Sequence, residues 1–282
     1  MKVLPFTIPK PKRDALIVQE DIQDAFYGVL HRHEEIQISL LVEGEGVLIV
    51  GDRVHSYCAG DVIVLGSNVP HVFKSNEKLT QPSRMLSIFF TQASFGTDFF
   101  QTEELKLLQS FFQRSENGFK LKRPSEKISQ LFFAVQKATK LERFILFFQL
   151  LKRLNTGKYL LLSSFHSEKK YNDTEGKRMG AVYQYTMEHF REKITLQDIA
   201  KEAAMTPNAF CNYFKKRTRK TYVAFVNEIR VEEACKLLQE QPELSIAEIA
   251  EQSGFRNISN FNRKFKELKS VTPWEYRKES VL

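Results

Sequence analysis

The chain has 282 residues, 42% of them hydrophobic, which is enough for about two domains with ordinary cores. Its 42 Lys and Arg against 34 Asp and Glu leave a formal charge of +8, which suits a polyanionic partner. Three cysteines (Cys58, Cys211 and Cys235) have no metal-ligand spacing, MKVLPFTIPKPKRD lacks a signal-type apolar core, and no apolar run approaches a membrane span of roughly 18 residues. A secreted or membrane-spanning protein is therefore not expected; a reduced, cytoplasmic one is.

From about residue 14 to residue 92 the chain reads as strands and turns. ISLLVEGEGVLIVGD holds two β-rich runs around Glu43-Gly44-Glu45-Gly46, and HSYCAGDVIVLGSNVPHVF holds two more around Gly60-Asp61 and Gly66 to Pro70. Short apolar runs punctuated by Gly, Asp, Asn and Pro predict a small antiparallel barrel or sandwich. His31, His33 and Gln37 share parity, so on one extended strand they point to one side. With His71 they can converge inside a barrel; His55, in a neighbouring hairpin, is expected at the surface. Phe73 and the pair Phe89 and Phe90 are either cavity walls or core.

HRHEEIQISLLVEGEG followed by AGDVIVLGSNVPHVF resembles the cupin family. Its first motif is H-x-H, then a carboxylate, then glycine; its second carries one more histidine near a proline. His31, His33 and His71 match, and Gln37 stands at the usual glutamate position, seven residues before Gly44. Metal-dependent cupins hold a divalent ion with three histidines and that glutamate. A glutamine supplies an oxygen without the anionic charge, which weakens such a site. Three uses stay open: polar residues with no ligand, a metal-free effector pocket, or a metal site. The expectation is an effector site formed by His31, His33, Gln37 and His71, with no metal and no cofactor.

From Thr102 the period changes from two to about 3.6. EELKLLQSFF predicts a short helix, and SEKISQLFFAVQKATKLERFILFFQLLKRL a long helix or a pair broken near Thr139. Ile128, Leu131, Phe132 and Val135 form one stripe; Phe144, Phe147, Phe148 and Leu151 form another. With Ile145, Leu146 and Leu150 the second half is apolar on more than one face, which calls for packing on the barrel and a further partner. A second copy of the chain is the expected partner, with Phe147 at the contact. HSEKKYNDTEGKR, residues 166–178, is polar and aperiodic and reads as a linker.

The last hundred residues carry an internal repeat. In ITLQDIAKEAAM, Thr195 caps a short helix; Thr206 and Pro207 then start a second helix with an N-cap and a proline in its first turn. TYVAFVNEIRVEEACKLLQEQ predicts a long connecting helix with Phe225, Ile229, Ala234 and Leu237 on its buried side. Fifty residues after the first short helix comes LSIAEIAEQSGF, where Ser245 and Glu248 make a capping box and Gly254 a turn. NISNFNRKFKEL follows as a basic helix. Phe261, Phe265 and Leu268 are expected on its buried face, matching Phe210 and Phe214 at an offset of 51. The outward quartets match too: Asn208, Cys211, Asn212 and Lys215 stand where Ser259, Asn262, Arg263 and Lys266 stand. KKRTRK has five cations and no acid, and Arg256 to Lys269 has five cations against Glu267 alone. Two capped short helices, each followed by a helix with an aromatic underside and a cationic outer face, are what tandem helix-turn-helix units present to the major groove. Trp274 and Tyr276 are expected to close the second core.

IAEIAEQSGF, FNRKFK and TPWEYR, with AFCNYFKKR and IRVEEACKLL upstream, resemble the AraC/XylS transcription regulators over about residues 179–278. The resemblance implies a seven-helix DNA-binding domain, an effector-sensing barrel in front of it, dimerisation through helices after the barrel, and a partnership with RNA polymerase, most often in activation. Where such domains usually carry a glycine after each recognition helix, this chain has Arg219 and Ser270.

The expected fold class is α+β with two domains: an N-terminal cupin-like β-barrel with a helical dimerisation segment, and a C-terminal all-α tandem helix-turn-helix. The expected boundaries are 1–100 for the barrel, 101–165 for the helical segment, 166–178 for the linker and 179–282 for the DNA-binding domain. The expected function is that of an effector-responsive, sequence-specific activator acting on double-stranded DNA as a homodimer. Its DNA-binding residues are Asn208, Cys211, Asn212, Lys215, Lys216, Ser259, Asn262, Arg263 and Lys266, and phosphate contacts are expected from Lys215, Lys216, Arg217, Lys220, Lys264 and Lys269. The rival is a metal-dependent cupin enzyme, a dioxygenase or isomerase, with a DNA-binding tail; Gln37 at the carboxylate position argues against it.

Overall fold

Alternation of side chains across a strand explains most of the first half of the chain. The computed structural model describes residues 15–26, 30–75, 81–164 and 173–280. Two units are formed, one from residues 4–51 and 57–170 and the other chiefly from residues 171–282. In the first, β1 (Ile17–Gln23), β2 (Ile36–Glu43), β3 (Gly46–Val50), β4 (Arg53–Tyr57), β5 (Val62–Leu65), β6 (His71–Ser75) and β7 (Ser83–Phe90) precede α1 (Gln109–Ser115), β8 (Phe119–Leu121), α2 (Glu126–Lys137), α3 (Lys140–Thr156) and β9 (Tyr159–Leu161). A six-stranded sheet runs β1-β7-β2-β5-β8-β9, and a three-stranded sheet runs β4-β3-β6.

The larger sheet has a core on each face. Ile36, Ile38 and Leu40 of β2, Val62 and Val64 of β5, and Leu86, Ile88 and Phe90 of β7 pack with α1, α2 and α3. The intervening residues Leu41, Ile63, Leu65 and Met85 meet Leu48, Val50, Tyr57 and Phe73 of the smaller sheet. Phe90 thus belongs to the helix-side core, where its ring lies 4.9 Å from that of Phe147. Phe89 and Phe73 face the barrel side.

The segment 101–165 is not wholly helical. Phe119 and Leu121 alternate with Lys120 and enter the sheet as β8 beside β5, and β9 adds to β8. EELKLLQSFF begins as a 3-10 turn over Glu103–Leu108 before α1. The long apolar stretch is a pair, α2 and α3, broken at Ala138 and Thr139. Arg143 staples the break by donating to the carbonyls of Val135 and Ala138 at 3.2 and 2.9 Å, filling acceptors that the end of α2 leaves open. Phe147, placed at a subunit contact from the sequence, is fully buried against Phe90 instead. The apolar residues that α3 leaves outside are Leu141, 70% exposed, and Ile145, 49% exposed.

The second unit consists of α4 (Asp173–His189), α5 (Leu196–Glu202), α6 (Pro207–Thr218), α7 (Tyr222–Glu240), α8 (Ile246–Gln252), α9 (Ile258–Lys269) and α10 (Pro273–Ser280). Helix α4 begins inside the stretch 166–178 read as linker; residues 165–172 lie outside the described residues. Capping boxes start α5 at Thr195 with Asp198 and α8 at Ser245 with Glu248. Thr206, Thr221 and Asn257 cap α6, α7 and α9. Arg219 and Ser270, after α6 and α9, take left-handed backbone at φ 57° and 66°, the conformation a glycine would hold more cheaply.

Two expectations fail at the end of the chain. Trp274 is 56% exposed, with the Lys278 ammonium 3.8 Å from its ring, and does not close the second core. Two residues span about 200° of helix, so Trp274 and Tyr276 face apart, and it is Tyr276 that meets Phe265, at 5.6 Å. Leu268 is 39% exposed, because it lies in the last turn of α9, past the rings that α10 covers.

Candidate functional site

The second unit offers a surface built twice. In α6, Phe210 and Phe214 are buried 5.7 Å apart, and in α9 Phe261 and Phe265 are buried 5.6 Å apart. Anchored by those rings, each helix turns its other face outward. Asn208, Asn212, Lys215 and Lys216 are exposed on α6, with Cys211 half-buried; Ser259, Asn262, Arg263 and Lys266 are all exposed on α9. The first turn of each helix is fixed by a side-chain cap, from Thr206 and from Asn257, which sets where its outward residues begin.

Charge is distributed less simply than the sequence implied. Lys220 donates to Glu228 of α7 at 2.6 and 2.8 Å, and Lys269 donates to Glu232 of α7 at 2.6 Å. Both lysines are largely covered and tie the ends of the recognition helices to α7 rather than projecting toward a backbone phosphate. Lys264 is paired with Glu267 at 2.8 Å. The guanidinium of Arg263 donates to Asn260 Oδ1 at 2.8 Å and lies 3.6 Å from Glu267. Both contacts are exposed, so giving them up for a base edge costs little. Asn260 is the residue the sequence reading missed; its place three residues before Arg263 on one helix face was the available signal.

The barrel side of the first unit holds the other cluster. His31 and His33 precede β2 rather than lying on it, so their shared parity with Gln37 does not place them. His31 is instead held by paired backbone hydrogen bonds to His71, at 3.1 and 3.0 Å. The rings converge, with centroids 4.3 Å apart for His31 and His71 and 5.1 Å for His33 and His71. Phe89 and Phe73 close the cluster edge-on, 5.5 Å from His33 and 6.2 Å from His71. Gln37 joins it: its Oε1 is 3.1 Å from His33 Nε2, and its Nε2 donates to Ser39, which shares a hydrogen bond with Ser87. His55 is half-buried in β4.

The tautomers follow from the partners. His71 Nδ1 meets the Val69 carbonyl at 2.8 Å and His33 Nδ1 meets the Glu35 carbonyl at 2.8 Å. A carbonyl only accepts, so both Nδ1 atoms carry the proton; the Nε2 of His71 then presents a lone pair, whereas the Nε2 of His33 faces the accepting Oε1 of Gln37. Burial holds both imidazoles below the ordinary histidine range, and His71 lies well below it. The Nε2 of His71 is buried without a hydrogen-bond partner. One nitrogen from each of His31, His33 and His71 lies within 4.8 Å of the others. Such neutral imidazole donors fit a d-block cation, with the Gln37 oxygen beside them. Bonds of about 2.0–2.1 Å would draw the rings inward from this spacing. Without a ligating carboxylate, the fit is to a weaker site than a three-histidine, one-glutamate set gives.

Comparison with known proteins matches both domains. A helix-turn-helix domain family matches residues 199–279, and a cupin domain family matches residues 20–89. An uncharacterised HTH-type transcriptional regulator of Bacillus subtilis, YdeC, is 26% identical over 258 residues, covering 89% of this chain and 87% of its own. The Msm operon regulatory protein of Streptococcus mutans is 24% identical, covering 86% and 84%. The transcriptional activator RhaR of Mannheimia succiniciproducens is 23% identical, covering 89% and 88%. Fold, surface and relatives together define a DNA-binding transcription regulator with a cupin domain ahead of a tandem helix-turn-helix. Over most of its length the chain is similar to transcription regulators of the AraC type. No helix among the described residues is long and apolar enough to cross a membrane.

Proposed function

We propose that the chain is an effector-responsive activator that reads DNA with both recognition helices. The observation that carries this reading is the matched exposure of the two quartets on helices anchored by matched phenylalanine pairs. Arg263 has the fork for guanine O6 and N7, and Asn208, Asn212 and Asn262 suit adenine; Cys211 and Ser259 act as small spacers. Lys215, Lys216, Arg217 and Lys266 supply phosphate contacts that position the helices. The two groove entries fall roughly 34 Å apart on one side of the duplex. Domain limits of 1–100 and 101–165, with a DNA-binding part that begins at α4 inside the stretch 166–178 and runs through 179–282, organise this reading. The relatives are named as transcriptional regulators, which supports a cytoplasmic regulator rather than an enzyme. RNA polymerase is the partner in activation by family analogy.

The effector site is the cluster of His31, His33, Gln37 and His71, and its ligand is a small polar or carboxylated molecule. A second reading, a bound d-block cation, draws on the unpartnered Nε2 of buried His71. A homodimer forms through the exposed edge of α3, at Leu141 and Ile145. Genomic footprinting with and without cell extract tests the whole. Protection of defined sites that changes with extract is expected, and is lost when His31, Gln37 and His71 are replaced by alanine. Unchanged response in that triple variant removes the cluster from the effector role. Metal analysis of protein purified without chelator separates the two ligands: stoichiometric metal favours the cation.

A further inference from the structure

Four charged residues in the middle of α7 reach three different places in the fold. Glu228 takes Lys220 from the end of α6, and Glu232 takes Lys269 from the end of α9. Glu233, almost wholly buried, takes Arg191 from the turn that follows α4. Arg230 goes to the same turn with its whole fork. Its Nε donates to the Phe190 carbonyl at 2.6 Å and its Nη2 to the Glu192 carbonyl at 2.8 Å. The Phe190 carbonyl directly follows the last residue of α4, His189, where the negative end of the helix dipole lies, so the guanidinium is countercharge to the helix as well as donor to the turn.

The second helix-turn-helix closes on this point from the other side. Gly254, in the turn between α8 and α9, has its backbone against the same turn. A Cβ at Gly254 would sit 2.8 Å from Arg191 Cα, 2.8 Å from the Phe190 oxygen and 3.0 Å from Arg230 Nε. The ring of Phe255, the next residue, lies 5.9 Å from the Arg230 guanidinium. The turn between α4 and α5, the arginine and the turn between α8 and α9 therefore meet at one place. A single connecting helix would leave each helix-turn-helix able to pivot at its ends; this junction removes that freedom.

We propose that Arg230 is a positioning residue that fixes the separation of the two recognition helices, and with it the base-pair spacing at which α6 and α9 read one duplex. The proposal rests on the reading that both helices enter the groove. Arg230 contacts no DNA in this account; it acts through the α4–α5 turn and Gly254.

The test uses the full chain and a site selected by the purified protein from random duplexes. One base pair is then inserted between the two contacted segments. The wild-type protein should lose about tenfold or more in affinity, since one helix must abandon its bases. Arg230→Ala should bind the original site within a few-fold of wild type but lose only about threefold or less on insertion, because the helices re-space. Arg230→Lys, which keeps the charge but not the fork, should fall between. A merely structural arginine would lower the melting temperature and leave the insertion penalty intact; that result overturns the proposal, as does a wild type indifferent to insertion. If Arg230→Ala fails to fold, Arg230→Lys decides by the same ratio, and an unchanged penalty again overturns the proposal. Two double variants, Asn208→Ala with Asn212→Ala and Asn262→Ala with Arg263→Ala, test the underlying reading. If both weaken the selected site while the Arg230 variants keep the penalty, the clamp falls and the two-helix reading stands. If either pair has no effect, the two-helix reading falls and takes the clamp with it.

Discussion

The two helix-turn-helix units share a plan and differ at one turn residue. In the first unit the turn after the short helix is made by Ala204, at φ 51°; in the second, fifty positions on, it is made by Gly254, at φ 90°. Ala204 is exposed, so its methyl group meets only the cost of a left-handed backbone. Gly254 has the backbone of residues 190 and 191 where its Cβ would go. The comparison teaches that one conformational demand is met by different residues, according to what stands behind the turn. The first turn is at the surface, whereas the second is pressed into the junction that Arg230 organises.

The strongest test of the shared plan is to remove matched rings. Phe214 and Phe265 are fully buried at equivalent places. Phe214→Ala and Phe265→Ala should each destabilise the second unit by about 3–5 kcal/mol, read from urea unfolding followed by circular dichroism. If one substitution costs several times the other, the two cores are not equivalent.

The turn itself is the next test. Gly254→Ala must strain the backbone and force a methyl group into main-chain atoms, together costing about 2–4 kcal/mol. Thermal unfolding of the variant checks this. A loss of a few tenths of a kcal/mol would show that the α4–α5 turn yields, and that the two units are less tightly joined than the contacts imply.

The outward faces come third. Arg263→Ala should cost about 1–3 kcal/mol on a specific site, spare random duplex and relax preference at one base pair. Lys216→Ala should weaken both DNAs about equally and reduce the salt slope by about one unit. Titrations of both variants against specific and random DNA at several salt concentrations separate the two. Equal losses on both DNAs for Arg263→Ala would mean that α9 docks differently.

Local signals made much of this legible in the sequence. Thr195, Thr206, Ser245 and Glu248 announce helix starts through their own side chains, and the caps form where they are expected. The break near Thr139 was one of two readings the sequence left open, and the pair α2 and α3 is the one that forms. What failed depended on distant partners. Strands β8 and β9 are three residues each, too short to show an alternation, and exist because β5 offers an edge. Phe147 reads as surface on an over-apolar helix until Phe90 is seen opposite it. Trp274 and Tyr276 look alike in sequence, and only the placement of Phe265 chooses between them. Lys220 and Lys269 belong to cationic runs that suit DNA, yet Glu228 and Glu232, on the separate helix α7, claim them. The histidine cluster was legible as a motif, but its tautomers, set by the Val69 and Glu35 carbonyls, were not.

The smallest expected effect is also the sharpest on the comparison. If Ala204 only bears the strain of a left-handed turn, Ala204→Gly should stabilise the protein by about 0.5–1 kcal/mol, the steric relief exceeding the added freedom of the unfolded chain. The same reasoning covers Arg219 and Ser270, left-handed after α6 and α9, but those side chains have other possible losses, whereas Ala204 gives up one methyl group. Removing it leaves the packing of Ala203, wholly buried beside it, untouched. Melting curves of Ala204→Gly and Gly254→Ala in the same buffer then form a pair of opposite sign. Stabilisation in the first and destabilisation in the second assign strain to one turn and close approach to the other. A destabilised Ala204→Gly would mean that unfolded-chain entropy outweighs the left-handed strain. The glycine at 254 would then owe its place wholly to the backbone pressed against it.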